Sequence, residues 1–276
     1  MKIKEIQAVY FSAAGHTKML TEYVSNAIGK SLTLPVAYID FTLPESREKT
    51  WNFTKETLVV FGSPTYAGRL PNKILPYIQN MFYGDATPAI ALVSYGNRNF
   101  DSSLAELRNE LQKNNFQVFA CGAFPCSHVF SVKIAGIRPD QEDFCKMDDL
   151  ANAAMKKLSA AETSATLKFP NLGDREELAP YYIPKNLAGE PVVFLKVKPK
   201  LDSEKCIQCG LCAKICPMAS IDHKNFAKVE GICIKCFACI IKCPAKARYF
   251  DDEALLSHIA MLETSCKTRK NPEFFL

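Results

Sequence analysis

Two kinds of apolar spacing divide the chain. Up to about residue 160, short apolar runs alternate with segments whose apolar positions recur every three or four residues. IQAVYF (6–11), LPVAYIDF (34–41), TLVVFGS (57–63), PAIALVSY (88–95) and FQVFACGAF (116–124) have strand length and are rich in β-branched and aromatic residues. KMLTEYVSNAI (18–28), PNKILPYIQNMF (71–82), DSSLAELRNELQKN (101–114) and residues 139–161 carry helical spacing. The second of these is opened by Pro71 and the third is capped by Asp101 or Ser102. Five strands alternating with helices predict a parallel sheet covered on both faces, and two-sided burial explains the near-continuous apolar strands.

The pattern then changes. Residues 162–200 hold five prolines and no persistent helical period, yet PYYIP and VVFL are too apolar for a free tether. The expected organisation is an α/β domain over 1–162, a packed Pro-rich connector over 163–200, a small cysteine-rich α+β domain over 201–250, and a helical tail (EALLSHIAMLE) within 251–276.

Composition narrows the function classes. The chain has 276 residues, 48% of them hydrophobic, and a formal net charge of +5. That charge, without clustered arginines among aromatics, argues against nucleic acid. No apolar run reaches the roughly 18 residues of a membrane span. MKIKEIQAVYF lacks the apolar core and cleavage site of a signal peptide, so a cytoplasmic location is expected. In that setting twelve cysteines argue for metal rather than disulfides.

Eight of the twelve lie in CIQCGLCAKICP (206–217) and CIKCFACIIKCP (233–244), each reading C-x2-C-x2-C-x3-C-P. The two runs are an internal repeat with a period of 27 residues. Three thiolates two residues apart can wrap one face of a cubane, while the fourth, before Pro217 or Pro244, points away. Zinc sites use cysteine pairs with longer gaps, so this spacing disfavours zinc. The pattern is that of bacterial two-cluster ferredoxins, in which the fourth cysteine serves the other cluster. By that resemblance Cys206, Cys209, Cys212 and Cys243 hold one [4Fe–4S] cluster, and Cys233, Cys236, Cys239 and Cys216 hold a second. Cys121, Cys145 and Cys266 read as buried small apolar residues, and Cys126 reads as either that or a reactive thiol.

Three loops follow the strands. Ser12-Ala13-Ala14-Gly15-His16-Thr17 joins the first strand to a helix N-terminus and suits an anion. It is neither GxGxxG nor a GK[ST] loop, which disfavours dinucleotides and nucleoside triphosphates. SPTYAGRLP (63–71) and SYGNRNFDS (94–102) each set a tyrosine beside a glycine just past a strand. Together the three resemble the FMN loops of flavodoxins, and the whole chain resembles the fused flavodoxin–ferredoxin proteins of anaerobic bacteria and archaea. The resemblance implies a flavodoxin-like sheet of order 2-1-3-4-5. It implies that Ser12, Ala13, Ala14, Gly15, His16 and Thr17 hold the FMN phosphate. Pro64, Thr65, Tyr66, Ala67 and Gly68 would line the ring on one side, and Tyr95, Gly96, Asn97 and Arg98 on the other. Ala14 stands where flavodoxins commonly have threonine, so one phosphate-binding hydroxyl is missing. Arg98 fits equally an anionic flavin edge or an ion pair with Asp101.

The loop FPCSHVFSVKIAGIRPD after the fifth strand shares this rim, which brings Cys126, His128 and Arg138 toward the flavin. His128 is the candidate catalytic proton donor. A cluster moves single electrons and a flavin accepts one or two, so the expected function is electron transfer from a low-potential donor through the clusters to FMN. FMN would then reduce a small acceptor or a partner's cofactor, as in an FMN- and iron–sulfur-dependent oxidoreductase. The competing class is a pure carrier between proteins. Either way a redox partner such as a ferredoxin is expected, and net basicity favours an acidic one. A homodimer arranged head to tail would also bring a cluster to a neighbour's flavin. A structural role for the clusters, in a sensor or assembly factor, is the third reading.

Overall fold

A computed structural model describes residues 2–276. Its central sheet contains β1 (Glu5–Tyr10), β2 (Val36–Asp40), β3 (Thr57–Pro64), β4 (Thr87–Tyr95), β5 (Phe116–Pro125) and β6 (Glu273–Phe275), in the order β2-β1-β3-β4-β5-β6. The first five are parallel and have the 2-1-3-4-5 order of a flavodoxin-like domain. Helices α1 (His16–Leu32), α2 (Leu75–Met81), α3 (Ser103–Lys113) and α4 (Gln141–Ala160) make the crossovers. Beyond them come the one-turn helices α5 (Leu211–Lys214) and α6 (Ala238–Ile241), and α7 (Glu253–Ser265). Two short ribbons stand outside the sheet, Trp51–Phe53 with Phe82–Gly84 and Lys200–Leu201 with Arg248–Tyr249. No helix among the described residues is long and apolar enough to cross a membrane.

Strand parity sorts the core into two layers. Val9, Val59, Phe61, Ala91 and Val93 face α2 and α3, whereas Ile6, Leu58, Val60, Ile90 and Leu92 face α1 and α4. Each strand is thus buried on both sides. The order reverses between β1 and β3, because β2 lies on one side of β1 and β3 on the other. The loops after β1 and β3 flank that switch point, where open α/β sheets bind ligands.

Three elements differ from the sequence expectation. α2 starts at Leu75 rather than Pro71, because Pro71–Ile74 forms a turn (Ile74 N–H to the Pro71 carbonyl, 2.8 Å) and Pro76 takes the first helical turn. The tail is helical only to Ser265. Glu273–Phe275 then returns to the sheet and pairs antiparallel with Ala123–Cys121. Cys145 is exposed and Cys266 is partly exposed, so only Cys121 and Cys126 are buried as small apolar residues.

The connector runs along the α/β domain on specific contacts. Arg108 pairs with Glu176 and donates to the Pro170 carbonyl at 2.8 Å. Arg69 donates to the Ala179 carbonyl at 2.7 Å, Tyr181 Oη to the Leu70 carbonyl at 2.9 Å, and Tyr182 N–H to the Ala67 carbonyl at 2.8 Å. The C-terminal segment is tied down by Arg138, which forks onto Asp143 and also reaches the Lys270 carbonyl. Asp143 closes the capping box of α4 with Asp140.

The Arg138–Asp143 pair is 5% and 0% exposed. Asp143→Ala strands a buried guanidinium and removes half of the capping box. It is expected to cost roughly 3–5 kcal/mol, read as a lowered midpoint in chemical denaturation; a loss under about 1 kcal/mol, the scale of an exposed pair, would contradict this account.

Candidate functional site

The eight repeat cysteines fall into two sets of four. Cys206, Cys209, Cys212 and Cys243 line one cavity with Leu201, Phe226, Ala247 and Arg248. Cys216, Cys233, Cys236 and Cys239 line the other with Ile221, Ile232, Ile234 and Phe237. In both, three cysteines come from one run and the fourth from the other. Among the described residues no three His, Cys, Asp or Glu side chains converge on a single-ion site. The four thiols of each set instead line a common cavity.

The repeat is also present in the backbone. Gln208 and Lys235 have φ near +53° and +54°, Gly210 and Phe237 +72° and +58°, and Ala219 and Lys246 +45° and +51°, each pair 27 residues apart. The fourth cysteines match too. Cys216 Sγ accepts from Ser220 N–H at 3.4 Å and Cys243 Sγ from Ala247 N–H at 3.3 Å. Such N–H···S bonds stabilise thiolate charge. The two cavities differ in setting: Cys209 is exposed, whereas Cys236 is 9% exposed and belongs to the core layer of α2 and α3.

The loop after β1 is an anion cradle. Gly15 takes φ +109° at the N-cap of α1, and a Cβ there would meet only open space. Ser12 Oγ accepts from Lys18 N–H at 2.9 Å, and Thr17 Oγ bonds Ser94 Oγ at 2.7 Å. Among the described residues, the backbone N–H groups of Ala14, Gly15, His16 and Thr17 have no partner within the chain. Four such donors at a helix N-terminus fit a phosphate. Burial lowers the His16 pKa, so the loop presents backbone dipoles and a hydroxyl rather than an imidazolium.

The loop after β3 is a tight turn. Tyr66 and Arg69 exchange backbone hydrogen bonds at 2.8 and 3.1 Å, with Ala67 at φ +50° and Gly68 at φ +78°, a type I′ geometry. A Cβ on Gly68 would strike Asp101 Oδ2. Arg69 forks onto Glu106 at 3.0 and 2.6 Å, and Glu106 also accepts from Leu70 N–H at 2.7 Å. Thr65 Oγ bonds Ser103 Oγ at 2.6 Å, anchoring the turn to α3. Tyr66 then packs on the core layer that contains Cys236. Burial, followed by Cys236 and Cys233, raises its phenol well above the usual value. The turn and the inner cysteine set are therefore neighbours.

The loop after β4 is held by contacts with the connector and the C-terminal segment. Tyr95 is 5% exposed and stacks on Phe100 at 5.5 Å. Asn97 Nδ2 donates to the Cys266 and Thr268 carbonyls at 2.8 and 3.0 Å, and its Oδ1 accepts from Lys270 N–H at 3.1 Å. Arg98 pairs with Asp101 and lies 4.0 Å from the ring centroid of Tyr182. The expected ion pair with Asp101 is thus formed. Gly96 abuts His128, whose Cδ2 would stand 2.3 Å from a Cβ there. These side chains bind the connector and the C-terminal segment, which spacing alone could not reveal.

His128, Cys126 and Arg138 are closed off as well. Burial, then His258 and Arg98, lowers the His128 pKa to about 4, and its Nδ1 accepts from Phe130 N–H at 3.1 Å. A ring held neutral cannot serve as the imidazolium acid expected from the sequence. Burial raises the Cys126 thiol, and so removes the reactive thiolate reading. Arg138 is committed to Asp143 and Lys270. Sequence reasoning missed the aromatic contact of Phe130 with Phe237, 4.6 Å between centroids, and of Phe237 with Phe250, 4.9 Å. The available signal was Phe237 itself, which stands where the first run has Gly210.

A 4Fe–4S binding-domain family model matches residues 199–222. The pyruvate synthase subunit PorD of Methanothermobacter marburgensis is 40% identical over 63 residues, 23% of this chain and 73% of the relative. The same subunit of Methanocaldococcus jannaschii is 36% identical over 66 residues, with the same two shares, 23% and 73%. Among solved structures, oxidised flavodoxin 2 from Bacillus cereus is 15% identical with a TM-score of 0.42, covering 55% of this chain and 99% of that one. With its doubled cysteine run, the chain belongs to the 4Fe–4S ferredoxin family of these PorD subunits, which gives it an electron-transfer role, and it joins that segment to an α/β domain with the 2-1-3-4-5 flavodoxin-like sheet.

Proposed function

We propose that the chain relays electrons between a one-electron protein donor and FMN through two [4Fe–4S] clusters. The observation that carries this is the series arrangement of the two cysteine cavities: one reaches the surface at Cys209 and the other lies against Tyr66 of the turn after β3. In this reading Cys206, Cys209, Cys212 and Cys243 hold the outer cluster, and Cys216, Cys233, Cys236 and Cys239 the inner one. Ser12 and the N–H groups of Ala14 to Thr17 hold the FMN phosphate. Pro64, Thr65, Tyr66, Ala67 and Gly68 form the wall between ring and inner cluster. When bound, the clusters supply single-electron steps and the flavin supplies one- or two-electron steps.

The chain's own residues define both ends. Exposed Cys209 is flanked by Ile207, 65% exposed, and by the exposed Lys205. From Lys200 to Phe250 there are nine lysines and arginines against four aspartates and glutamates, an excess equal to the whole chain's +5. This cationic lobe suits an acidic ferredoxin-like donor. At the flavin end, Asn97, Arg98, His128 and Arg138 are all engaged within the protein. That closure favours a pure carrier over an enzyme that binds a small acceptor with these groups.

An anaerobic preparation is expected to hold about eight irons per chain, four for each cubane, together with one FMN. Stoichiometric zinc or the lack of flavin would contradict the assignment. Reduction by an acidic ferredoxin should slow as salt rises from about 0.01 to 0.15 M and the Debye length contracts from about 30 to 8 Å; a salt-independent rate would remove the cationic docking lobe. Steady turnover of a small acceptor would overturn the carrier reading.

His128 gives a separate stability test. The unfolded chain protonates this ring near 6.5 and the folded chain only near 4. The unfolded state therefore binds more protons in that window, and stability is lost as the pH falls through it, by up to about 3 kcal/mol. His128→Gln is expected to flatten the decline in denaturation midpoint between those pH values; an unchanged acid limb would show that the ring is not held neutral.

A further inference from the structure

Arg248 is a buried cation without a carboxylate. Its side chain lies in a residue only 2% exposed; Nη2 donates to Cys212 Sγ at 3.4 Å and to the Phe226 carbonyl, while Nε and Nη1 are buried without any partner. Taking a guanidinium out of water with no counter-charge costs several kcal/mol. The cost is offset where an anionic body shares the space, and Arg248 lines the cavity of Cys206, Cys209, Cys212 and Cys243. Its charge also reaches Cys239 of the other set.

The 27-residue repeat provides an internal control. The position equivalent to Arg248 is Ile221, which is 3% exposed and lines the cavity of Cys216, Cys233, Cys236 and Cys239. Ile221 brings neither charge nor side-chain donor. Lys235 and Lys198 do lie near Cys233. Their ammonium groups, however, donate to backbone carbonyls, Lys235 to Leu195 and Cys233, and Lys198 to Val229 and Glu230. Arg248 donates to a ligand sulfur itself, inside the protein, where screening by water is weak. One side chain thus adds a difference in charge to the difference in burial between the two sockets.

We infer that Arg248 holds the outer cluster's reduction potential above the one its socket would otherwise give. The inference rests on the two-cluster reading. Each reduction is a one-electron step that takes its electron from an added reductant, breaks no bond and needs no proton. It adds negative charge beside a fixed guanidinium, and the N–H···S bond draws charge from the sulfur; both favour the reduced form.

The test is a potentiometric titration of the intact holoprotein with dithionite, followed by electron paramagnetic resonance. The outer cluster's signal is assigned by the g-values that change in Cys209→Ser. Iron is counted first: wild-type protein with fewer than about eight irons, two cubanes' worth, would defeat the two-cluster reading rather than this one. In Arg248→Gln with full iron content, the outer cluster's reduction equilibrium should fall at least tenfold, 59 mV for one electron, with a smaller shift in the inner cluster. Arg248→Lys, which keeps the charge, should recover part of it. Unchanged potentials, or equal shifts of both clusters, would overturn the proposal. If Arg248→Gln sheds iron, Arg248→Lys decides: an intermediate potential supports the assignment, and a wild-type potential overturns it.

Discussion

The tilted ring contact of Phe130 with Phe237, centroids 4.6 Å apart, is the contact on which the two-part molecule turns. Phe237 occupies the N-cap of α6 at φ +58°, a left-handed conformation that costs a bulky residue about 1–2 kcal/mol. Its repeat partner Gly210 has the same geometry without that cost. The strain is offset by burial: Phe237 is 7% exposed between Phe130 and Phe250, and hiding a phenyl ring contributes roughly 1.5–3 kcal/mol. Cover from Phe130 and Phe250 thus offsets the strain. A residue poorly suited to an isolated ferredoxin loop is therefore well suited to one docked on a sheet. Docking it carries the adjacent Cys236 and Ala238 into the core layer beneath α2 and α3, beside Tyr66.

The rest of the rim follows from the same contact. His258 on α7 bonds the Lys185 carbonyl at 2.9 Å and lies 6.4 Å from the Phe130 ring and 5.5 Å from Phe194. Tyr182 lies 6.2 Å from His258 and beneath Arg98. Connector, tail helix and inner cysteine loop thus meet on one aromatic seam over the ends of β4 and β5. Burial in that seam lowers the His128 pKa, and the same closure engages the side chains of Asn97 and Arg98 within the protein. Proximity between the inner cysteine set and the turn after β3, and a closed rim, are two results of one packing arrangement.

Much of this was legible in the sequence, for definite reasons. The five parallel strands showed because two-sided burial makes their runs apolar, and the cysteine sets because cubane geometry fixes their spacing. The anion loop showed because strand, small residues and helix start are local features. What was not legible depended on long-range pairing. β6 is three residues long, too short for any period to announce it, and it exists because Cys121–Ala123 offer an open edge. The commitments of Asn97 to residues 266–270 and of Arg138 to Lys270 join positions more than 130 apart. His128 looked like an acid because sequence gives its ordinary pKa and not its burial.

Charge shows how one property serves different ends at different depths. As composition, +5 reads as a faint, dispersed basicity. Resolved along the chain, the excess belongs to the segment from Lys200 to Phe250, while the remaining residues balance. Most of those cations are exposed lysines, whose field extends into solvent, is screened by salt, and acts on encounter with a partner. Arg248 carries the same charge but is sealed among thiols, where screening is weak and its field acts on whatever those thiols hold. A lysine on the surface and an arginine sealed among thiols are thus not interchangeable parts of one net charge. The first acts outward through solvent; the second acts only within its cavity.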